Sequence, residues 1–312
     1  MGFLDRLLSG GADPSSATEE DIARVAAGGI PLAAEQRIRG LAGGETAFTS
    51  GLSVADFALS RLGGVRPVCQ VMGSSVYKVG WQNLPWSSSW GGGLLTELSQ
   101  LTDAWNHARS LALGRLEQEA RLAGCHAVVD VTFAGNRHEF LAGEIEIVVN
   151  GTAVQLAERS GAQGSAGGRT GEAPVLTDLS LPDYTLLRRG GYRPVGVVAS
   201  TSVFYIVPGR RTRQATGGWQ WMQPNQELAD FTQGVYAARE AALARATAQA
   251  QSMGAGGLIG VSVEHDIAIR EVDSGGKRQD LIVTFHILGT AIAPAGEHVA
   301  LDPQLVLRQG AT

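Results

Sequence analysis

The chain of 312 residues has few cysteines, no long apolar run and no excess of basic residues. Its two cysteines, Cys69 and Cys125, exclude a framework of several disulfides and favour a reducing compartment. No apolar segment approaches the ~20 residues that a membrane-spanning helix needs. The formal net charge of −5 disfavours a nucleic-acid partner, because proteins that bind nucleic acids usually carry a basic face. The N-terminus lacks the basic segment and cleavage site of a secretory signal, so we expect a cytoplasmic globular protein.

What the sequence does contain is an internal repeat. Residues 52–68 read LSVADFALSRLGGVRPV and residues 179–195 read LSLPDYTLLRRGGYRPV, with ten of seventeen positions identical at an offset of 127. Such a match indicates a duplication, which determines the domain organisation. The predicted order is an N-terminal helical arm (1–51), a first repeat (52–156), a Gly/Ser-rich linker (157–178), a second repeat (179–294) and a C-terminal tail (295–312).

Each repeat is predicted to fold as helix, strand, loop, long helix and two further strands. Ser53 and Asp56 form the S-x-x-D pattern of a capping box, and Gly63-Gly64 would end the short helix that follows. We expect strands at 66–71, 126–133 and 144–155 in the first copy, and at 192–200, 258–265 and 281–293 in the second. The long helices are predicted at 101–123 and 231–253, because apolar and small residues recur there at three- and four-residue steps. The fold class is therefore α+β.

The residues that join the long helix to its next strand resemble a known family. Glu119–Val129 follow the pattern E-A-x-x-x-G-x-x-A-V-V, and the last strand of the repeat contains Gly151-Thr152-Ala153-Val154. Both are similar to the YbjQ-like family (UPF0145), also called the heavy-metal-binding domain; the second copy keeps Gly254 and Gly289-Thr290-Ala291. The resemblance implies two tandem β-α-β-β repeats, each similar in layout to dodecin, which close into a ring that is commonly a pentamer.

The predicted sheets also favour association when the residues are considered alone. Three strands on one helix leave open sheet edges, which are a liability unless another strand pairs with them. A ring of five repeats cannot be built from whole two-repeat chains. Five chains that form two stacked rings, or a ring with an even number of repeats, are the arrangements that remain.

The family name suggests a divalent or soft metal ion, which would require closely spaced Cys or His ligands. The best candidate set is Cys125, His126 and Asp130, with His138 and Glu139 in the next hairpin. Cys125 and His126 are neighbours in sequence, so their side chains diverge unless the turn is sharp. Since the second repeat also replaces both cysteines, we favour a structural or surface role for these residues.

Tryptophan is concentrated in the loop between the first strand and the long helix of each repeat. These rings are expected to pack under the loop, at a subunit interface or around a ligand, and we favour packing or an interface. Candidate residues at the border of a pocket are Tyr77 and Arg109 in the first copy and Phe204 and Arg239 in the second. The loop tryptophans are Trp81, Trp86, Trp90, Trp219 and Trp221.

No catalytic set stands out in the sequence. Ser74–Ser75 follow no G-x-S-x-G elbow, and Gly91–Gly93 lack the Lys-Ser/Thr of a phosphate loop. Glu117 and Glu119 are expected to be solvated, as is the basic loop at 210–213. The sequence therefore favours a non-enzymatic, ring-forming assembly or binding protein, with a heavy-metal or small-ligand binding or sensing protein as the alternative.

Overall fold

The computed structural model describes residues 18–42, 47–62, 64–80, 93–134, 143–156, 173–216, 225–273 and 277–295. These residues form a mixed α+β fold with seven helices and two four-stranded sheets. The helices are α1 (Glu19–Ala26), α2 (Leu32–Ala42), α3 (Val54–Leu62), α4 (Ser99–Leu122), α5 (Leu181–Arg189), α6 (Arg210–Thr216) and α7 (Ala229–Ser252). The strands are β1 (Val65–Lys78), β2 (Leu94–Glu97), β3 (Ala127–Ala134), β4 (Glu144–Leu156), β5 (Val175–Leu176), β6 (Tyr192–Val207), β7 (Gly257–Asp273) and β8 (Lys277–Pro294).

Each half of the chain contributes one strand to the sheet of the other half. Sheet 1 has the order β1-β4-β3-β5 and sheet 2 the order β2-β6-β8-β7. Strand β2 precedes α4 in the first half but pairs with Phe204–Val207 of β6. Strand β5 lies in the predicted linker and runs parallel to β3. Neither strand is predicted from the sequence, because each is short and its partner is distant along the chain.

The two long helices pack on the sheets through small side chains, as their spacing predicts. Helices α4 and α7 both contain 24 residues. An added Cβ at Gly73 of β1 would lie 1.9 Å from the Ala112 carbonyl oxygen of α4, so the helix approaches the sheet as closely as backbone atoms allow. At Gly234 of α7 the added Cβ would lie 2.1 Å from Ile206 Cδ1. The buried alanines are Ala104, Ala108, Ala112 and Ala120 of α4 and Ala238, Ala242, Ala246 and Ala250 of α7.

The capping box predicted at Ser53 is present, and the matching segment of the second half has the same hydrogen bonds. The Asp56 N–H donates to Ser53 Oγ at 3.1 Å, and Ser53 Oγ–H donates to the Asp56 carboxylate at 2.7 Å. The Asp183 N–H and the Ser180 hydroxyl repeat these bonds at 3.3 and 2.6 Å. Glycines with left-handed φ follow the short and long helices of both halves, as predicted: Gly64, Gly124, Gly191 and Gly254.

The repeated Gly-Thr-Ala motif fixes the segment that leads into each short helix. Thr152 Oγ1 accepts the Gly51 N–H at 3.1 Å, and Thr290 Oγ1 accepts the Asp178 N–H at 3.2 Å. Both threonine side chains are buried. The preceding Gly151 has no room for a side chain, because an added Cβ would lie 2.5 Å from Val128 Cγ1.

The N-terminal arm docks on its own chain. Arg115 of α4 donates from Nη2 to the Val25 carbonyl at 2.8 Å and from Nε to the Gly29 carbonyl at 3.1 Å. Glu119 is buried beneath the arm and accepts Arg37 Nη2 at 2.7 Å. The prediction that Glu119 is solvated was wrong, because it considered α4 without the helix that covers it.

Two further differences concern the second half. The predicted basic loop at 210–213 forms the start of α6, which is fixed by Asp230: its Oδ2 accepts Thr212 Oγ1 at 2.7 Å and the Gly209 N–H at 2.8 Å. Strands β6, β7 and β8 are longer than predicted. Among the helices described above, none has the length and apolar character needed to cross a membrane.

Candidate assembly interface

Helix α4 of the first half packs on the edge and outer face of sheet 2. The Leu98 N–H, just before α4, donates to the Val203 carbonyl at 2.8 Å. The Val203 N–H in turn donates to Thr102 Oγ1 at 3.0 Å. The first turn of α4 therefore satisfies both backbone groups of one residue on the edge of β6.

The Asn106 side chain extends this pairing by one step along β6. Its Oδ1 accepts the Thr201 N–H at 2.8 Å, and its Nδ2 donates to the Thr201 carbonyl at 3.0 Å. The amide thus does for Thr201 what a residue of a neighbouring strand would do. Together with β2, these groups cover the edge of β6 from residue 201 to residue 207.

A buried guanidinium group lies at the centre of the contact. Arg109 is 6% exposed and donates from Nη1 to Thr201 Oγ1 at 2.7 Å. Its Nη2 lies 3.2 Å from His286 Nδ1, which must be the acceptor because a guanidinium can only donate. The Thr201 hydroxyl then donates to the same Nδ1 at 2.9 Å. Burial lowers the pKa of Arg109 to about 10, and the negative charge of Glu264 opposes that shift.

Apolar side chains from both halves surround these polar groups. The Arg109 guanidinium lies 5.3 Å from the ring centroid of Phe133, and the Trp105 ring meets His286 edge-on at 4.9 Å. Val197 of β6 is buried in the same hydrophobic cluster as Val131 of β3. The two halves therefore share this hydrophobic cluster.

A cleft of about 730 Å³ opens beside this contact, between α4, β5, β6 and α7. Arg109 lines the cleft, whereas Tyr77 does not; Tyr77 packs against His107 with ring centroids 5.3 Å apart. Arg245 also lines the cleft and forms an ion pair with Glu97 at 2.6 Å. Further polar residues of the lining are Asn106, Ser110, Ser200 and Gln249.

The described members of the predicted metal set do not form a site together. Burial raises the pKa of the Cys125 thiol to about 12, with a smaller contribution from Cys69. His126 Nδ1 accepts the Leu156 N–H at 3.1 Å, and burial raises the pKa of Asp130. Within the described parts of the chain, no group of three or more His, Cys, Asp or Glu side chains could hold a metal ion. His138 and Glu139 lie outside the described residues, so the complete set stays a prediction.

The other predicted site residues have different positions. Phe204 is half-buried against the core of the second half, and Arg239 is exposed on α7. Sequence reasoning missed Asn106 and Thr201, because their partners come from the opposite half. The loop tryptophans lie outside the described residues: Trp81, Trp86, Trp90, Trp219 and Trp221.

Comparison with known proteins gives a relative that spans both halves. The encapsulin nanocompartment protein Rv1762c of Mycobacterium tuberculosis (strain ATCC 25618 / H37Rv) is 33% identical over 280 residues, which cover 89% of this chain and 96% of the relative. The chain belongs to the family of this mycobacterial protein.

A family described as "Putative heavy-metal-binding", the YbjQ-like family, matches residues 87–157. The UPF0145 protein TTHA1944 of Thermus thermophilus is 42% identical over 60 residues, which cover 19% of this chain and 51% of the relative. These matches confirm the YbjQ-like resemblance. No solved structure matches the chain significantly.

Proposed function

We propose that this protein is a non-enzymatic, cytoplasmic assembly protein whose chains form a homo-oligomeric ring. The observation that carries this proposal is the outer strand of sheet 2. Strand β7 is 17 residues long and pairs with β8 on one side. Three of its apolar side chains, Val263, Ile267 and Ile269, lie exposed on one face. An exposed apolar strand at a sheet edge favours pairing with another chain.

The family relative supports assembly, since its name describes a nanocompartment protein. The common plan of the two halves supports the tandem β-α-β-β organisation that we propose for residues 52–156 and 179–294. Helices α4 and α7 begin at Ser99 and Ala229, an offset of 130, and strands β1 and β6 begin at Val65 and Tyr192, an offset of 127. The offset between β1 and β6 is therefore the same as the offset of the sequence repeat.

A structural use of the buried polar groups supports a non-enzymatic role. Thr102, Asn106 and Arg109 are polar side chains of α4 that enter the contact between the halves. Asn106 binds the backbone of β6, and Arg109 binds the Thr201 hydroxyl and His286. Both therefore serve to hold the two halves together.

The test is the mass of the untagged protein, measured by light scattering and native mass spectrometry. A ring predicts a single species whose mass is an integral multiple of 32.6 kDa. Electron microscopy of the same fraction should show closed particles. A mass of one chain at micromolar concentration would contradict the proposal.

A second candidate function is the binding or sensing of a heavy metal or small ligand. The cleft of about 730 Å³ beside Arg109 favours a ligand, and the family description favours a metal. We propose the loop tryptophans, with Arg109, as residues that contact such a ligand or an interface, and Cys125, His126, Asp130 and His138 as the metal candidates. Metal analysis and a titration followed by tryptophan fluorescence test this function; no uptake and no spectral change would exclude it.

A further inference from the structure

Two surfaces form the contact that joins the two halves of one chain. Each of these surfaces has a counterpart on the other half, and both counterparts are exposed. We propose that chains join head to tail. The second half of one chain binds the first half of the next chain, and this contact repeats the one by which the first half binds the second half within a chain. The partner is therefore a second copy of this chain. The inference rests on the proposed function and specifies its interface.

Corresponding positions follow from the offsets of the elements. The offset is 127 between α3 and α5 and between β1 and β6. It is 130 between α4 and α7 and between β3 and β7, which begin at Ala127 and Gly257. Each residue of the internal contact thus has a counterpart whose exposure can be compared with its own.

The short helices give the clearest difference. In α5, Leu181 is 1% exposed and packs with Tyr184 against Val65 and Val129 of sheet 1. The counterpart of Leu181 in α3 is Val54, which is 89% exposed. The α3 helix therefore presents the apolar residue that its counterpart buries.

The surface that α3 would cover is exposed as well. Val65 of sheet 1 is buried under α5, and its counterpart in sheet 2 is the exposed Tyr192. Phe57 of α3, the counterpart of the buried Tyr184, is also exposed. Both sides of one contact are thus available, one on each half of the chain.

On the outer faces of the two sheets, too, a buried residue of one sheet has an exposed counterpart in the other. Val203 of β6 lies under α4 and is 0% exposed, whereas its counterpart in β1, Val76, is 70% exposed. Met72 is exposed on the same face of β1. In the proposed contact, α7 of one chain covers this face in the next chain.

Helix α7 carries groups suited to that contact. The counterpart of Thr102 is Thr232, so its hydroxyl can accept the Val76 N–H of the next chain as Thr102 accepts that of Val203. The counterpart of Arg109 is Arg239, for which Ser74 offers a hydroxyl in place of Thr201. Tyr236, the counterpart of Asn106, is exposed.

The same contact covers the apolar face of β7. Val131 and Phe133 of β3 lie in the core that the two halves share. Their counterparts, Val261 and Val263, are exposed. The next chain would bury them as sheet 2 buries the residues of β3.

The open sheet edges are completed by strand exchange. Strand β2 covers the edge of β6, and residues 225–227 stand in the same place before α7. Strand β5 covers the edge of β3, and its counterpart is the segment that contains the exposed Phe48. Pairing of these segments with the next and the previous chain gives each sheet a fifth strand. A head-to-tail contact of this kind closes into a ring when its rotation permits.

Disulfide trapping tests the contact directly. Asn106 and Thr201 touch within one chain, so their counterparts, Tyr236 and Ser74, should touch between chains. One variant carries Ser74→Cys and a second variant carries Tyr236→Cys. When the two are mixed under conditions of subunit exchange and oxidised, they should give a disulfide-linked pair of chains on a non-reducing gel. The native cysteines are buried and give little background. Ser74→Cys mixed with Gln251→Cys, which is exposed 15 residues further along α7, is the matched control and should give none.

Two substitutions test the contact without trapping. Val76→Asp and Val54→Asp each add a charge at an exposed site, so each variant should stay folded as measured by circular dichroism. The dissociation constant of the oligomer should rise at least tenfold. Ile22→Asp on α1 is likewise a charge added at an exposed apolar residue and should leave the oligomer intact. If the wild-type protein has the mass of one chain, both the proposed function and this interface are wrong. If it is an oligomer that neither substitution weakens and no cysteine pair links, only this interface is wrong.

Discussion

The Arg37 guanidinium of the arm lies 2.7 Å from the Glu119 carboxylate of α4, although 82 residues separate them in sequence. The same carboxylate accepts the Met72 N–H of β1 at 2.9 Å. One buried acid therefore joins the arm, the long helix and the sheet of the first half. Since α2 covers it, the arm is part of the folded core.

Removal of Arg37 should destabilise the protein. Arg37→Ala leaves a buried carboxylate with the Met72 N–H as its remaining donor, so we expect the free energy of unfolding to fall by about 1–3 kcal/mol. Because the loss comes from an uncompensated charge, adding Glu119→Gln should recover part of it. Urea unfolding at a fixed chain concentration measures the free energy of unfolding of each variant. If the losses of the two single variants simply add in the double variant, Arg37 and Glu119 are not coupled and the prediction is wrong.

Two glycines near α4 should respond to alanine in opposite directions. Gly73→Ala places Cβ against the Ala112 carbonyl, so we expect a loss of about 3 kcal/mol or more. Gly114 lies within α4 with no atom within 4 Å of an added Cβ, so Gly114→Ala should raise the free energy of unfolding by about 0.5–1 kcal/mol. The two thermal unfolding midpoints, compared with wild type, decide the matter.

Asp130 should make stability depend on pH. It has a left-handed φ of 56° in the bulge of β3, and burial raises its pKa, with a further contribution from Asp56. A raised carboxyl pKa means that the folded protein loses stability as pH rises above the ordinary carboxyl range. Asp130→Asn, which tolerates the same φ, should therefore exceed wild type in stability at pH 7 and match it near the acid end. A difference that is constant with pH would contradict this.

The two cysteines should be unreactive in the folded protein. Burial raises the pKa of both thiols, and that of Cys125 reaches about 12, so the reactive thiolate is scarce at pH 8. Iodoacetamide should label neither residue in the native protein and both in denaturant, as measured by intact mass. Rapid labelling of the native protein would show that Cys125 is accessible.

Arg109 hydrogen-bonds Thr201 and His286 of the second half, but burying its charge lowers the stability of the folded protein. Burial lowers its pKa to about 10, below the usual guanidinium value, so the unfolded state binds more protons above pH 10. Wild-type stability should therefore rise there relative to Arg109→Met. Near pH 7 the Met variant should lie within about 1–2 kcal/mol of wild type, since a well-packed apolar residue often replaces a buried charge at little cost. Urea unfolding at pH 7 and pH 10.5 measures the change. Equal differences at the two pH values would contradict the assignment.

Local chemistry determined much of the structure. The S-x-x-D boxes at Ser53 and Ser180, the glycines that end the helices and the alanine stripe of α7 each act within one or two turns, so the sequence predicts them. The prediction failed where the partner is remote. Glu119 was expected in solvent, and the basic segment at 210–213 was expected as a loop, because each takes its environment from another element.

The repeated segment at 52–68 and 179–195 and the family resemblance could therefore be recognised from the sequence alone, because spacing, turns and caps depend on neighbouring residues. Only the tertiary structure decided which half covers which. It placed β2 and β5 on the opposite sheets, buried Arg109 against Thr201, and left Val54 and Val76 exposed while their counterparts are buried. Such choices depend on non-local strand pairing and on burial between surfaces that are far apart in the chain, and no local pattern encodes them.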